Sequence, residues 1–167
     1  MICNVCRHKI VEGSISHSNL LIITDAPTPI DMQMGYLFAS SQRYTTVGTI
    51  LRRELELLGM FLQDHAVISL WQHLENGNEK CYQIGYNAVL DAAKHKDAIL
   101  LLGAEVVTLF TGMSVSDVSG LQVDSPSLSA KLVVAMYSPS IAFQRGFGEV
   151  RYGLTQWHKL LKQENLI

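Results

Sequence analysis

The chain of 167 residues is 48% hydrophobic and 17% charged, the balance of one globular domain long enough to bury about two thirds of its unfolded surface. A formal net charge of −2 excludes attraction to nucleic acid by the surface as a whole, though not by a local basic face, and no uncharged run approaches the roughly 20 residues of a membrane span. Met1 to Lys9 has no apolar core behind its charges, so it does not read as a signal peptide, and the expected location is intracellular, cytoplasm or nucleoid.

Residues 1 to 18 are polar and irregular and read as a surface arm. Three cysteines in all cannot complete a disulfide framework, and Cys3-x2-Cys6 in a reducing compartment reads as a metal pair first. Leu20 to Thr24 then runs into Asp25-Ala26-Pro27. This is a buried strand halted by a turn, because Pro27 offers no ladder donor and holds its own φ. Asp25 is therefore expected at a strand's carboxyl end, outside which open α/β sheets bind their ligands. A turn-forming aspartate is the plain alternative. Thr28 to Tyr44 has no clean period and reads as a long loop of the kind kept for function, carrying Tyr36, Phe38 and Tyr44. Thr45-Thr46 can cap a helix whose apolar positions Val47, Ile50, Leu51, Leu55 and Leu58 keep helical spacing as far as Gly59.

Ala66 to Trp71 is a second strand, Asn76-Gly77-Asn78 a turn, and Glu79 to Lys96 a helix with Ile84, Ala88, Val89 and Ala92 on one side. Asp97 to Gly103 does not alternate and so reads as a strand buried on both faces, followed by a helix from Ala104 to Phe110 that stops at Gly112. Leu121 to Val123 is a candidate short strand, Lys131 to Tyr137 a firmer fourth, and residues 141 to 163 form a closing helix interrupted near Gly146 and Gly148. Strands alternating with helices predict a three-layer α/β/α sandwich, residues 1 to 167, around a mostly parallel four-stranded sheet. No Gly-rich phosphate loop follows any strand, which disfavours a nucleotide-binding module. His8, His17, His65, His95 and His158 show no ligand spacing and read as surface residues.

Four segments resemble the uracil-DNA glycosylase superfamily, nearest its iron-sulfur family 4, in order and approximate spacing. Thr24-Asp25-Ala26-Pro27-Thr28 is similar to that family's Gly-Glu-Ala-Pro-Gly, and Gly48 to Met60 to the helix that follows it. Ile99 to Gly112 resembles its strand-Leu-Gly-helix segment, and Met136-Tyr137-Ser138-Pro139-Ser140 its Tyr-His-Pro-Ser. The resemblance covers nearly the whole chain and implies excision of uracil or another altered base from DNA. The base would be rotated out of the duplex, stacked on an aromatic and read along its Watson-Crick edge.

On that resemblance Asp25, one methylene shorter than the family's Glu, would activate water or face the sugar cation, with Ala26 and Pro27 beside the substrate. Ser138 replaces the expected His and would donate a hydrogen bond to the leaving base. A turn residue before Pro139 is the plain alternative. The base-reading Asn would fall near Ser69 or Trp71. Phe38 is the preferred stacking platform over Tyr44, Phe143 the apolar wedge, and Ser140, Arg145 and Arg151 the candidate phosphate contacts. Cys3 and Cys6 stand where the first two cluster cysteines belong and Cys81 opens a helix as the fourth does. The third cysteine is absent, and His73 could complete the set. A 4Fe-4S cluster, zinc and no metal all remain open. The loss of His and Asn also leaves room for a catalytically silent relative that binds DNA, or a protein of a replication or repair complex.

Overall fold

The computed structural model describes residues 1–14, 17–73 and 78–167. Three segments are so apolar that water is tolerated on neither face, and these make the centre of the sheet. β1 (Leu20–Thr24), β2 (Ala66–Ser69), β3 (Ala98–Leu102), β4 (Leu121–Gln122) and β5 (Leu132–Met136) lie in the order β2-β1-β3-β5-β4, and every residue of β1, β3 and β5 is buried. The first three and β5 run parallel, while β4 pairs antiparallel with β5. The sheet thus has five strands rather than four. Two exposed residues are too few to show an alternation, so the standing of Leu121 and Gln122 as a strand depends on the neighbour that accepts them.

Seven helices cover the sheet: α1 (Pro29–Met34), α2 (Val47–Glu56), α3 (Glu79–Ala93), α4 (Ala104–Thr111), α5 (Val115–Val118), α6 (Ala142–Arg145) and α7 (Gly148–Gln163), counted among the described residues. Leu20, Ile22, Leu100, Leu102, Val134 and Met136 pack with residues of α2 and α7 on one face. Leu21, Ile23, Ile99, Leu101, Val133 and Ala135 pack with residues of α3, α4 and α5 on the other. Successive side chains of a strand enter opposite layers, which is why these strands show no apolar/polar alternation.

Three local expectations change. Thr28 to Tyr44 is not one loop, because α1 lies inside it. Thr28 accepts from Asp31 N at 3.3 Å while Asp31 Oδ2 accepts from Thr28 N at 2.8 Å, a reciprocal cap, and Asp31 Oδ1 takes Ala39 N at 2.7 Å. Six residues are too short for a periodic signal, so only the cap betrayed this helix. Nor does the arm simply lie at the surface: Cys3 and Val11 are buried, Val11 N donates to Gln72 O at 2.8 Å, and Ser14 bridges antiparallel to Val67. The arm closes the outer edge of β2, which would otherwise present unpaired backbone groups. Of the Asn76-Gly77-Asn78 turn, the first two residues lie outside the described residues, and Asn78 caps α3 by accepting from Cys81 N.

The third change is His65, only 1% exposed rather than at the surface. Trp157 Nε1 donates to its Nε2 at 3.4 Å and its Nδ1 lies 3.0 Å from the Phe61 carbonyl oxygen, so the neutral ring protonated at Nδ1 satisfies both neighbours. Burial lowers its pKa, against the opposing influences of the Phe61 hydrogen bond and Asp64. The unfolded chain therefore binds the proton more readily. This contribution to stability is whole above the unfolded value of about 6.5 and shrinks as the pH falls below it. His158, lowered by burial and by Lys162, acts in the same sense. In denaturant titrations from about pH 7 to pH 5, His65→Gln is expected to flatten the fall in unfolding free energy by up to about 1.4 kcal/mol per pH unit. An unchanged slope would remove His65 from the acid lability.

No helix among the described residues is long and apolar enough to cross a membrane.

Candidate functional site

Strand register places the site. Thr24 is level with Ser69 on one side and Leu102 on the other, and Leu102 is level with Met136, so the parallel strands β2, β1, β3 and β5 end on one line. Asp25 is the next residue after β1, Gly103 the next after β3, and Ser138 lies two residues past β5. The chain leaves β1 for β2 on one side and returns for β3 on the other, so Asp25 and Gly103 flank the point where strand order reverses, the usual ligand crevice of an open parallel sheet. β1 and β5 stand two strand spacings apart, about 10 Å, with β3 between them.

Asp25 is fixed from across that point. Gly103 occupies the N-cap of α4 and brings no capping side chain, and Asp25 supplies one instead. Its Oδ1 accepts from Val106 N at 2.8 Å and its Oδ2 from Glu105 N at 3.4 Å. A carboxylate suits the positive end of a helix. Gly103 has φ +119, and a Cβ there would stand 2.4 Å from Asp25 Oδ2, so only glycine admits the carboxylate. Burial raises the Asp25 pKa, the two backbone donors act against that, and the Glu105 charge adds to the rise. Two of its roughly four lone-pair positions are used, leaving acceptor capacity. The following turn is tied to the end of β2, where Trp71 N donates to Asp25 O at 2.8 Å and Leu70 N to Thr24 O at 2.9 Å. Ala26 is half-buried and Pro27 buried in that turn.

Ser138 caps the short 3-10 turn Pro139–Ile141. Its Oγ accepts from Ser140 N at 3.4 Å and from Ser140 Oγ at 3.0 Å, two bonds that engage only its acceptor positions. The chain then presents an exposed apolar and basic corner. Phe143 is 59% exposed, Ser140 and Arg145 are exposed, and the Arg145 guanidinium stands 5.8 Å from the centroid of the Tyr137 ring. Arg151 differs from Arg145 in being held by an ion pair. Its Nε donates to Oε2 of the buried Glu54 at 2.9 Å, and its guanidinium lies over the Phe147 ring.

The two candidate stacking aromatics differ. Phe38 is 3% exposed and packed in the core beneath α2, with φ +56, whereas Tyr44 is 58% exposed. Ser69 is 1% exposed, a strand residue of the buried layer rather than an open base-reading position, and its Oγ has no hydrogen-bond partner among the described residues, a state that costs about 1–3 kcal/mol. A cavity of about 570 Å³ between the arm, β2 and α3 is lined by Gly13, Ile68, Gln72 and His95 among others, and neither Asp25 nor Ser138 borders it.

Sequence reading missed Glu105. It sits in the first turn of α4, and its Oε1 accepts from Trp71 Nε1 at 2.9 Å, which adds a second carboxylate and an indole to the Asp25 corner. An acidic residue just after Gly103 was the available signal.

The second cluster is a candidate metal centre. The ligand atoms of Cys3, Cys6, His73 and Cys81 all lie within 4.8 Å of one another and could hold a metal ion. Cys3 and Cys6 belong to a tight hairpin closed by an Ile2/Lys9 bridge, with Cys3 N donating to His8 O, Arg7 N donating to Cys3 O, and Arg7 at φ +66. His73 follows β2, and Cys81 lies in the first turn of α3. A hydrogen bond from the Cys6 backbone holds the Cys3 thiol down at about 7, while burial pushes Cys81 up to about 11.

No family model matches the chain, and no curated protein matches it significantly.

Proposed function

We propose that the protein is a monofunctional DNA glycosylase of the uracil-DNA glycosylase kind, hydrolysing the N-glycosidic bond of uracil or another altered base. The observation that supports this reading is the common register of β1, β3 and β5, which sets an anchored carboxylate and a hydroxyl at the same edge of the sheet, on strands about 10 Å apart. Cleavage of that bond builds positive charge on the sugar and negative charge on the departing base. Asp25, held by α4, orients water and faces the sugar cation. The Ser138 hydroxyl donates to the base as its charge grows. Phe143 fills the gap left in the duplex and Arg145 meets a phosphate.

Purified protein incubated with single- and double-stranded oligonucleotides carrying uracil or hypoxanthine is expected to generate abasic sites. DNA binding with no abasic sites on any altered base would sink the proposal. Phe143→Ala is expected to lower kcat/KM on duplex by on the order of tenfold or more and to spare single-stranded substrate, which needs no wedge. Equal losses on both would remove the wedge role.

A second reading, a non-catalytic DNA-binding relative, is favoured by one observation: both Asp25 oxygens already serve as the cap of α4. The same assay separates the two.

A further inference from the structure

The ligand cluster disagrees with the cofactor of the family that the sequence resembles. A four-iron cubane sets each ligand on a separate iron around a core of eight atoms, which spreads neighbouring ligand atoms to roughly 6 Å. Here no pair exceeds 4.8 Å. One tetrahedral ion with Zn–S near 2.3 Å and Zn–N near 2.0 Å requires about 3.8 Å between sulfurs and about 3.5 Å between sulfur and nitrogen. Cys3 Sγ and Cys81 Sγ are 3.7 Å apart, and Cys6 Sγ and His73 Nε2 are 3.3 Å apart. There is space for one ion and none for eight atoms.

We infer that Cys3, Cys6, His73 and Cys81 hold a single tetrahedral zinc ion in place of the four-iron cluster. Three thiolates and an imidazole form a closed set with no position left for a substrate, so the ion is structural. Its ligands come from the arm, the end of β2 and the start of α3, and it staples the arm over the β2 edge beside Trp71, whose indole reaches Glu105 at the candidate site. The inference stands independently of the glycosylase reading, since nothing in it depends on chemistry at Asp25.

The full chain, produced with both iron and zinc in the medium, is expected to contain one zinc per chain, no acid-labile sulfide and no absorbance near 400 nm. Replacement by cobalt alone should give the intense visible bands of tetrahedral thiolate coordination. His73→Cys should retain one ion and raise the sulfur-to-cobalt charge-transfer intensity by about a third, as three thiolates become four. Stripping the metal with a chelator should lower Tm by on the order of 10 °C, because the ion binds only the folded arrangement. Four irons with sulfide per chain, no bound metal in protein purified from the zinc-containing medium, or cobalt spectra unchanged by His73→Cys would each overturn the assignment. The cobalt spectrum reports ligation directly, so a variant of reduced stability still answers the question.

Discussion

Asp25→Asn is expected to reduce base excision about a thousandfold while lowering stability by only about 1–2 kcal/mol. The amide keeps the size of the side chain and one oxygen for Val106 N, 2.8 Å from the present Oδ1, but turns an NH2 toward Glu105 N and removes the negative charge from the start of α4. In a domain of this size such a loss shifts Tm by a few degrees, so assays well below Tm compare folded protein with folded protein. If Asp25 only caps the helix, the rate follows the folded fraction and hardly changes. An undiminished rate at full folding would take Asp25 out of the mechanism. The wild-type rate should also fall on the acid side at a pH above the usual carboxylate range, because burial raises this pKa and the working form is ionised.

Gly103→Ala is expected to be the more damaging substitution for stability, by about 2–4 kcal/mol, and to cost on the order of a hundredfold in rate without touching a reacting group. Two effects add. The position has φ +119, where an L side chain is strained, and the new Cβ would stand 2.4 Å from Asp25 Oδ2. The carboxylate must then leave the α4 N-terminus, abandoning both of its backbone donors. A double-mutant cycle separates the causes. Asp25→Ala removes the obstructing carboxylate, so the double variant should lose at least about 1 kcal/mol less than the sum of the single losses. Strict additivity would mean that backbone strain alone accounts for Gly103.

The strands that carry the site were readable one at a time. Leu20 to Ile23 and Ala98 to Leu102 are unbroken apolar runs, and Pro27 and Gly103 mark where each segment ends. The metal quartet was readable as residue types, including His73 in place of the missing cysteine. The role of Gly103 was not, because its partner Asp25 is 78 residues earlier and nothing in the local sequence ties the two together. The same holds for His65, whose neutral form depends on Trp157, 92 residues later.

What the sequence determined by itself is the set of segments that must be buried on both faces and the turns that stop them. That information is local, since an apolar run pays a solvation cost wherever it is exposed. Tertiary structure alone decided which ends meet: Asp25 capping α4, the candidate strand at 121–122 pairing antiparallel with β5 as a fifth member of the sheet, and four ligand atoms gathering within 4.8 Å. Each depends on strand order and register, and these are settled by how separated segments pack together rather than by the preference of any one of them.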